Sequence, residues 1–223
     1  MLRKTIRQQS LLLLSQKRII LLGMGLAFLI GLLKESLFTG ASVEPQVAWG
    51  TIFNRYIIFL TLFPINVIVG LSVLKYRTLD ILIARTRHIV TLQLSIQIIL
   101  ISTMLGTSWL LASILLLIRL NLISLLPLVL TATINILFDL IGLAALAVLL
   151  FTLFQNKIIA FLGFFMANTL LFYLAISHYP TLIYDFVLLE PIGQYSAHML
   201  MLFGMIVLVG VIIENVILRK DIL

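Results

Sequence analysis

From His88 to Lys157 the chain is apolar almost without interruption, and this bounds what it can become. Residues 89–156 carry no charged side chain except Arg119 and Asp139. About 20 consecutive apolar residues cross the ~30 Å hydrocarbon core of a bilayer, so this stretch alone holds two crossings. Similar runs occupy Ile19–Phe38, about Gly50–Leu74, Ile158–Ser177 and about Ala197–Leu218. Charged residues make up only 10% of the chain, against roughly a quarter in a soluble domain. Backbone in lipid must satisfy its own hydrogen bonds, so such runs become helices. The expectation is an all-α membrane protein of six transmembrane helices. The third starts near His88 and shares residues 89–155 with the fourth, broken only by Arg119-Leu120-Asn121 and Pro127. Those residues exceed two minimal crossings. Either both helices are long and tilted, or Leu110–Leu126 includes an interfacial piece. A third crossing would invert the charge pattern that follows, which favours the long pair.

With six crossings and both termini cytoplasmic, basic residues fall very unevenly. Arg3, Lys4, Arg7, Lys17, Arg18, Lys75, Arg77, Arg85, Arg87, Lys157, Arg219 and Lys220 lie inside. Lys34, Arg55 and Arg119 lie outside or near that face. The positive-inside rule selects this orientation. Trp49, Tyr179, Tyr184 and Tyr195 then fall in an outer aromatic belt, with Trp109 about 20 residues, roughly 30 Å, beyond the inner start of its helix. Met1–Arg7 is basic, but only the short Leu11–Leu14 run follows and no small-residue cleavage site appears, so a cleaved signal peptide is not expected. Residues 1–18 place Leu2, Ile6 and Leu13 near one helical face, which suits an interfacial amphipathic helix; a disordered basic tail is the alternative. Residues 19–223 form the transmembrane domain. The outer segment His178–Tyr195 is half apolar and punctuated by Pro180, Pro191 and Gly193. It reads as a re-entrant-like element packed on protein, or more plainly as a surface loop.

The net charge of +7 is spread over the ends of apolar runs rather than one face, which suits lipid headgroups and topology and argues against nucleic acid. Without cysteine there is no disulfide or thiol chemistry. No HExxH, GxSxG or phosphate-binding loop occurs, so neither an enzyme nor an ATP site is expected in this chain. His198 beside Met199 and Met201 reads as packing, and no metal site is expected. Polar residues inside a membrane are costly, and each is a functional hypothesis by default. Asn66, Asn135, Asp139 and Asn168 all fall well inside predicted spans. Asn135 and Asp139, four apart, share a helical face. They line a translocation path or, alternatively, glue the bundle by interhelical hydrogen bonds. Gly23, Ala27 and Gly31 repeat every four residues along the first span, and Gly163 and Ala167 along the fifth, letting helices approach closely.

One basic loop stands apart. Lys75–His88 joins the second and third spans and contains an apolar helical turn, whereas only Gln155-Asn156-Lys157 joins the fourth and fifth. This ordered pattern, with the interfacial helix and the outer segment, resembles the transmembrane (permease) subunit of ABC-2-type exporters along essentially the whole chain. The resemblance implies a coupling helix over Thr78, Leu79, Asp80, Ile81, Leu82, Ile83, Ala84 and Arg85, seated in a separate cytoplasmic ATPase subunit. Leu79, Ile81 and Leu82 would fill its groove, with Asp80 and Arg85 as rim ion pairs and Thr78 as N-cap. The basic Lys75-Tyr76-Arg77 departs from the more acidic, glycine-containing stretch of many members. The resemblance further implies a second transmembrane subunit, identical or paralogous, ATP and Mg bound only by the partner ATPase, no cofactor in this chain, and an amphiphilic cargo such as a peptide, lipid, drug or haem-like molecule. The membrane would be the bacterial cytoplasmic membrane or an organelle inner membrane. Rival readings are a membrane subunit of an ATP-driven vitamin importer, whose scaffold has an Ala-Arg signature similar to Ala84-Arg85-Thr86, and a non-transport structural membrane protein.

Overall fold

The computed structural model describes residues 15–33, 45–74, 87–177, 179 and 192–219. Residues 1–14 of the expected interfacial helix, the expected coupling helix Thr78–Arg85 and most of the outer segment His178–Tyr195 lie outside the described residues.

The described elements are helical. They are α1 (Lys17–Leu33), α2 (Pro45–Ile52), α3, α4 (Arg87–Arg119), α5 (Leu126–Phe154), α6 (Lys157–Ile176) and α7 (Ile192–Arg219). Helix α3 runs from Arg55–Ile57 through a π-helical turn, Ile58–Leu62, into Phe63–Val73. Among the described residues, five stretches are long and apolar enough to cross a membrane: Gly50–Val73, Val90–Arg119, Ile123–Phe154, Lys157–Ile176 and Met199–Ile217. Helix α1 has 17 described residues, about 26 Å of helix, and its predicted crossing continues into residues 34–38, which are not described.

Local chemistry explains each break between the long helices. Helix α4 closes with a Schellman motif: Leu122 N–H donates to Leu117 O at 2.9 Å and Asn121 N–H to Ile118 O at 3.2 Å. Asn121 takes the left-handed conformation this motif needs, at φ 55. A short 3₁₀ turn, Ile123–Leu125, follows, and Pro127 sits in the first turn of α5, where its missing N–H is no loss. Helices α4 and α5 are thus 33 and 29 residues long, the long pair rather than an interfacial piece. The next turn is tighter. Gln155 is left-handed at φ 53, and Asn156 caps α6 by accepting from Ile158 N–H at 2.9 Å and Ile159 N–H at 3.3 Å.

One sequence expectation is refined and two need correction. The second span stands over Gly50–Val73, but not as one helix: it breaks at Phe53–Asn54, where extended Asn54 caps α3 by accepting from Tyr56 N–H and Ile57 N–H. One asparagine inside an apolar run gave no warning of a break. Trp109 belongs to no interfacial belt; it is 0% exposed and lies against α1, where Gly31 leaves room beside its ring. Helix α7 begins at Ile192, so residues 192–195 of the outer segment are helical.

Helix α5 is the centre of the bundle, packed by α3, α4, α6 and α7; its span is 67% buried, against 17% for α6 and 22% for the span of α7. The small-residue strip of α1 docks inside the chain: Gly23 faces Val69 and Leu105, and Gly31 faces Ala112. Gly163 of α6 likewise faces Leu150 of α5.

Candidate functional site

Helices α3 and α6 run antiparallel and are fastened at both ends by cations. Arg55, the first residue of α3, donates from Nη1 to the Ala175 carbonyl at 2.8 Å, one residue before α6 ends. Lys157, the first residue of α6, donates from Nζ to the Leu74 carbonyl at 2.8 Å and the Ser72 carbonyl at 3.3 Å. Each cation therefore satisfies orphan carbonyls at its neighbour's C-terminus, the negative end of that helix dipole. Between the clamps, Phe172 packs edge-on against Tyr56, with ring centroids 5.4 Å apart, and lies 5.6 Å from Phe59. Arg55→Gln and Lys157→Gln are each expected to cost about 1 kcal/mol or less, a fall of about 2–4 °C in Tm. The clamps sit at opposite ends of the pair, so the losses should add. Thermal unfolding in detergent checks this, and an unchanged Tm in the double variant would show that the clamps contribute nothing.

The four polar residues expected inside the spans divide into two kinds. Asn66 bridges three helices: its Nδ2 donates to Leu140 O of α5 at 2.9 Å, and its Oδ1 accepts from Ser102 Oγ of α4 at 3.2 Å. Asn168 of α6 donates from Nδ2 to Phe59 O of α3 at 2.8 Å. Both are 1% exposed, and both bonds hold helices together. Asn135 and Asp139 are 0% exposed, yet Asn135 differs: among the described residues, neither Oδ1 nor Nδ2 has a hydrogen-bond partner. They share a face of α5 with Gly142, whose Cβ position would lie 2.9 Å from Met205 and 3.6 Å from Ile206 of α7. The polar step is thus turned toward the α7 side, in the middle of the most buried helix. Asn66 and Asn168 do not join it.

Beside Asn66, a pocket between α3, α4 and α5 is bordered by Gly70, Gln97, Ser102 and Ala147. The volume in which a water can be accommodated is ≈ 10 Å³, about enough for one molecule. An amphiphilic cargo does not fit there. Among the described residues no group of histidine, cysteine, aspartate or glutamate is placed to hold a metal ion. Sequence reading missed Arg55 and Lys157 as helix caps; their signal was a cation at the first position of a helix, one that pairs only with the end of an unknown neighbour.

Compared with known proteins, the chain matches no family model, no curated protein and no solved structure.

Proposed function

We propose that this chain is the membrane-spanning subunit of an ATP-driven exporter of the ABC-2 type. In this reading it crosses the bilayer six times with both termini cytoplasmic. The observation that carries the reading is the character of the connections. Helices α4 to α6 are joined by tight, locally capped turns, while residues 75–86 form a long basic connection between α3 and α4. The other long connections, residues 34–44 and 178–191, carry more acid than base. Residues 75–86 therefore have the length and charge to meet a soluble partner at the cytoplasmic face. Leu79, Ile81 and Leu82 are the apolar contacts proposed for the ATPase, with Thr78, Asp80 and Arg85 around them.

The pocket beside Asn66 has room for about one water, too little for a cargo, and the cargo path is assigned to the seam between two transmembrane subunits. The sparse burial of α6 and α7 within one chain supports this. Asn135, a polar group held in the bundle without a side-chain hydrogen-bond partner among the described residues, is the residue assigned to the path, with Asp139 one turn along the same face of α5. The cargo class is amphiphilic, and ATP and Mg bind to the partner alone.

The test is purification from the native membrane after mild crosslinking. A cytoplasmic ATPase is expected in stoichiometric amounts with the wild-type chain. Leu79→Asp with Leu82→Asp should leave insertion intact and abolish its recovery. A wild-type chain that comes alone, or a double variant retaining full ATPase, removes the coupling assignment.

A further inference from the structure

The π turn of α3 has a physical cause that involves α6. In an α-helix the Phe59 carbonyl accepts from the N–H of residue 63, and in a π-helix from that of residue 64. Here the Phe63 N–H donates to Ile58 O, and residue 64 is Pro64, which has no N–H. The proline therefore strips one carbonyl in either register: Leu60 O if the segment is α-helical, Phe59 O if it is π-helical. Asn168 lies where only the second can be relieved. Its Nδ2 is 2.8 Å from Phe59 O, inside a bundle where an uncapped carbonyl finds no water. Thr61 Oγ1 adds a bond to the Ile57 carbonyl of the same turn.

We infer that Pro64 and Asn168 form a latch: the proline opens the α3 backbone, and Asn168 of α6 holds it open in the π register. Released, α3 returns to the α register, in which Phe63 N–H takes the Phe59 carbonyl and one half of the helix turns by about 100° relative to the other. Of the three polar ties between α3 and α6, those at Arg55 and Lys157 grip opposite ends of α3 through long side chains, and one of them must re-seat when the helix changes register. The Asn168 bond depends on the register itself. Engaged, the latch makes α3 and α6 one body; released, it leaves the half of α3 that leads into residues 75–86 tied to α6 by hydrogen bonds from the long side chain of Lys157 alone. As a moving part of a transporter the latch rests on the function proposed above. As a property of the fold it does not, so the two fail separately.

A double-mutant cycle tests it. Asn168→Leu removes the donor and is expected to lower Tm by about 5 °C or more. Pro64→Ala returns an N–H at residue 64, so Asn168→Leu in that background should cost less than half as much. Equal losses in both backgrounds overturn the latch. If Asn168→Leu alone does not accumulate, accumulation is the readout: recovery in the Pro64→Ala background supports the latch, and failure to recover where Pro64→Ala alone accumulates overturns it. The chain has no cysteine, so spin labels can be placed singly at the exposed positions Ile68 of α3 and Leu162 of α6. The distance distribution between them should broaden on Asn168→Leu and narrow again with Pro64→Ala. A distribution that Asn168→Leu leaves unchanged shows that the bond does not tie the helices.

Discussion

Gly31→Ala is expected to push α1 away from α4 and to cost more than any other single methyl added to α1. A Cβ at Gly31 would stand 2.5 Å from the Ala112 Cβ. That atom is fixed directly to the α4 backbone and has no torsion to turn it aside, so the helices themselves must part. Gly23 meets an obstacle just as near, Val69 Cγ2 at 2.6 Å, but that atom is one bond further from its backbone, so the restricted χ1 of Val69 can take up part of the clash before the helices must part. Gly25, on the same helix, meets nothing within 4 Å. The physical ranking is therefore Gly31→Ala worst, Gly23→Ala intermediate, and Gly25→Ala neutral or slightly stabilising through helix propensity. Overpacking costs about 1–3 kcal/mol, and at Gly31 the upper end applies, a fall of about 6–12 °C in Tm. Thermal melts of the three variants in one detergent decide it. A Gly31→Ala protein that melts with the wild type would show that α1 does not dock along this strip.

That strip was legible in the sequence because it needs only the spacing of small residues. The turns were legible for a similar reason: Asn121, Gln155 and Asn156 act on backbone groups within a few residues of themselves. What could not be read was which helix lies beside which. In water the apolar face of a helix points to its neighbours, but in a bilayer lipid and core are equally apolar, so periodicity loses that meaning. Trp109 was therefore expected at an interface when it fills the space beside Gly31. Arg55 and Lys157 read as charges near the membrane surface, whereas each caps a helix some 120 or 83 residues away in the chain. The π turn was hidden too. The register at Pro64 depends on Asn168, 109 residues from Phe59. Asn66, Asn135 and Asn168 look alike in the sequence, and only their neighbours separate the two that bind helices together from the one that does not.

Asn135→Leu is expected to make the protein more stable and less active, a combination that separates a functional group from a structural one. A buried polar group that makes its hydrogen bonds destabilises the fold when removed. One left without them costs about 1–3 kcal/mol while present, and an apolar side chain of similar shape relieves that cost. Asn135 is 0% exposed and, among the described residues, has no partner for Oδ1 or Nδ2. Its replacement by leucine should therefore raise Tm, by about 2–4 °C for each kcal/mol relieved. Selection keeps such a group where function needs it and pays in stability. On the function proposed above, transport should accordingly fall by about tenfold or more, equivalent to about 1.4 kcal/mol in the limiting barrier. Asp139→Asn provides the companion test one turn along the same face. It preserves size and leaves a hydrogen-bonding group, so accumulation in the membrane should stay near wild type while transport drops. Reversed outcomes carry the opposite meaning. A lower Tm for Asn135→Leu, or a collapse in Asp139→Asn accumulation with normal activity per molecule, would make this polar step part of the glue of the bundle, as Asn66 and Asn168 are.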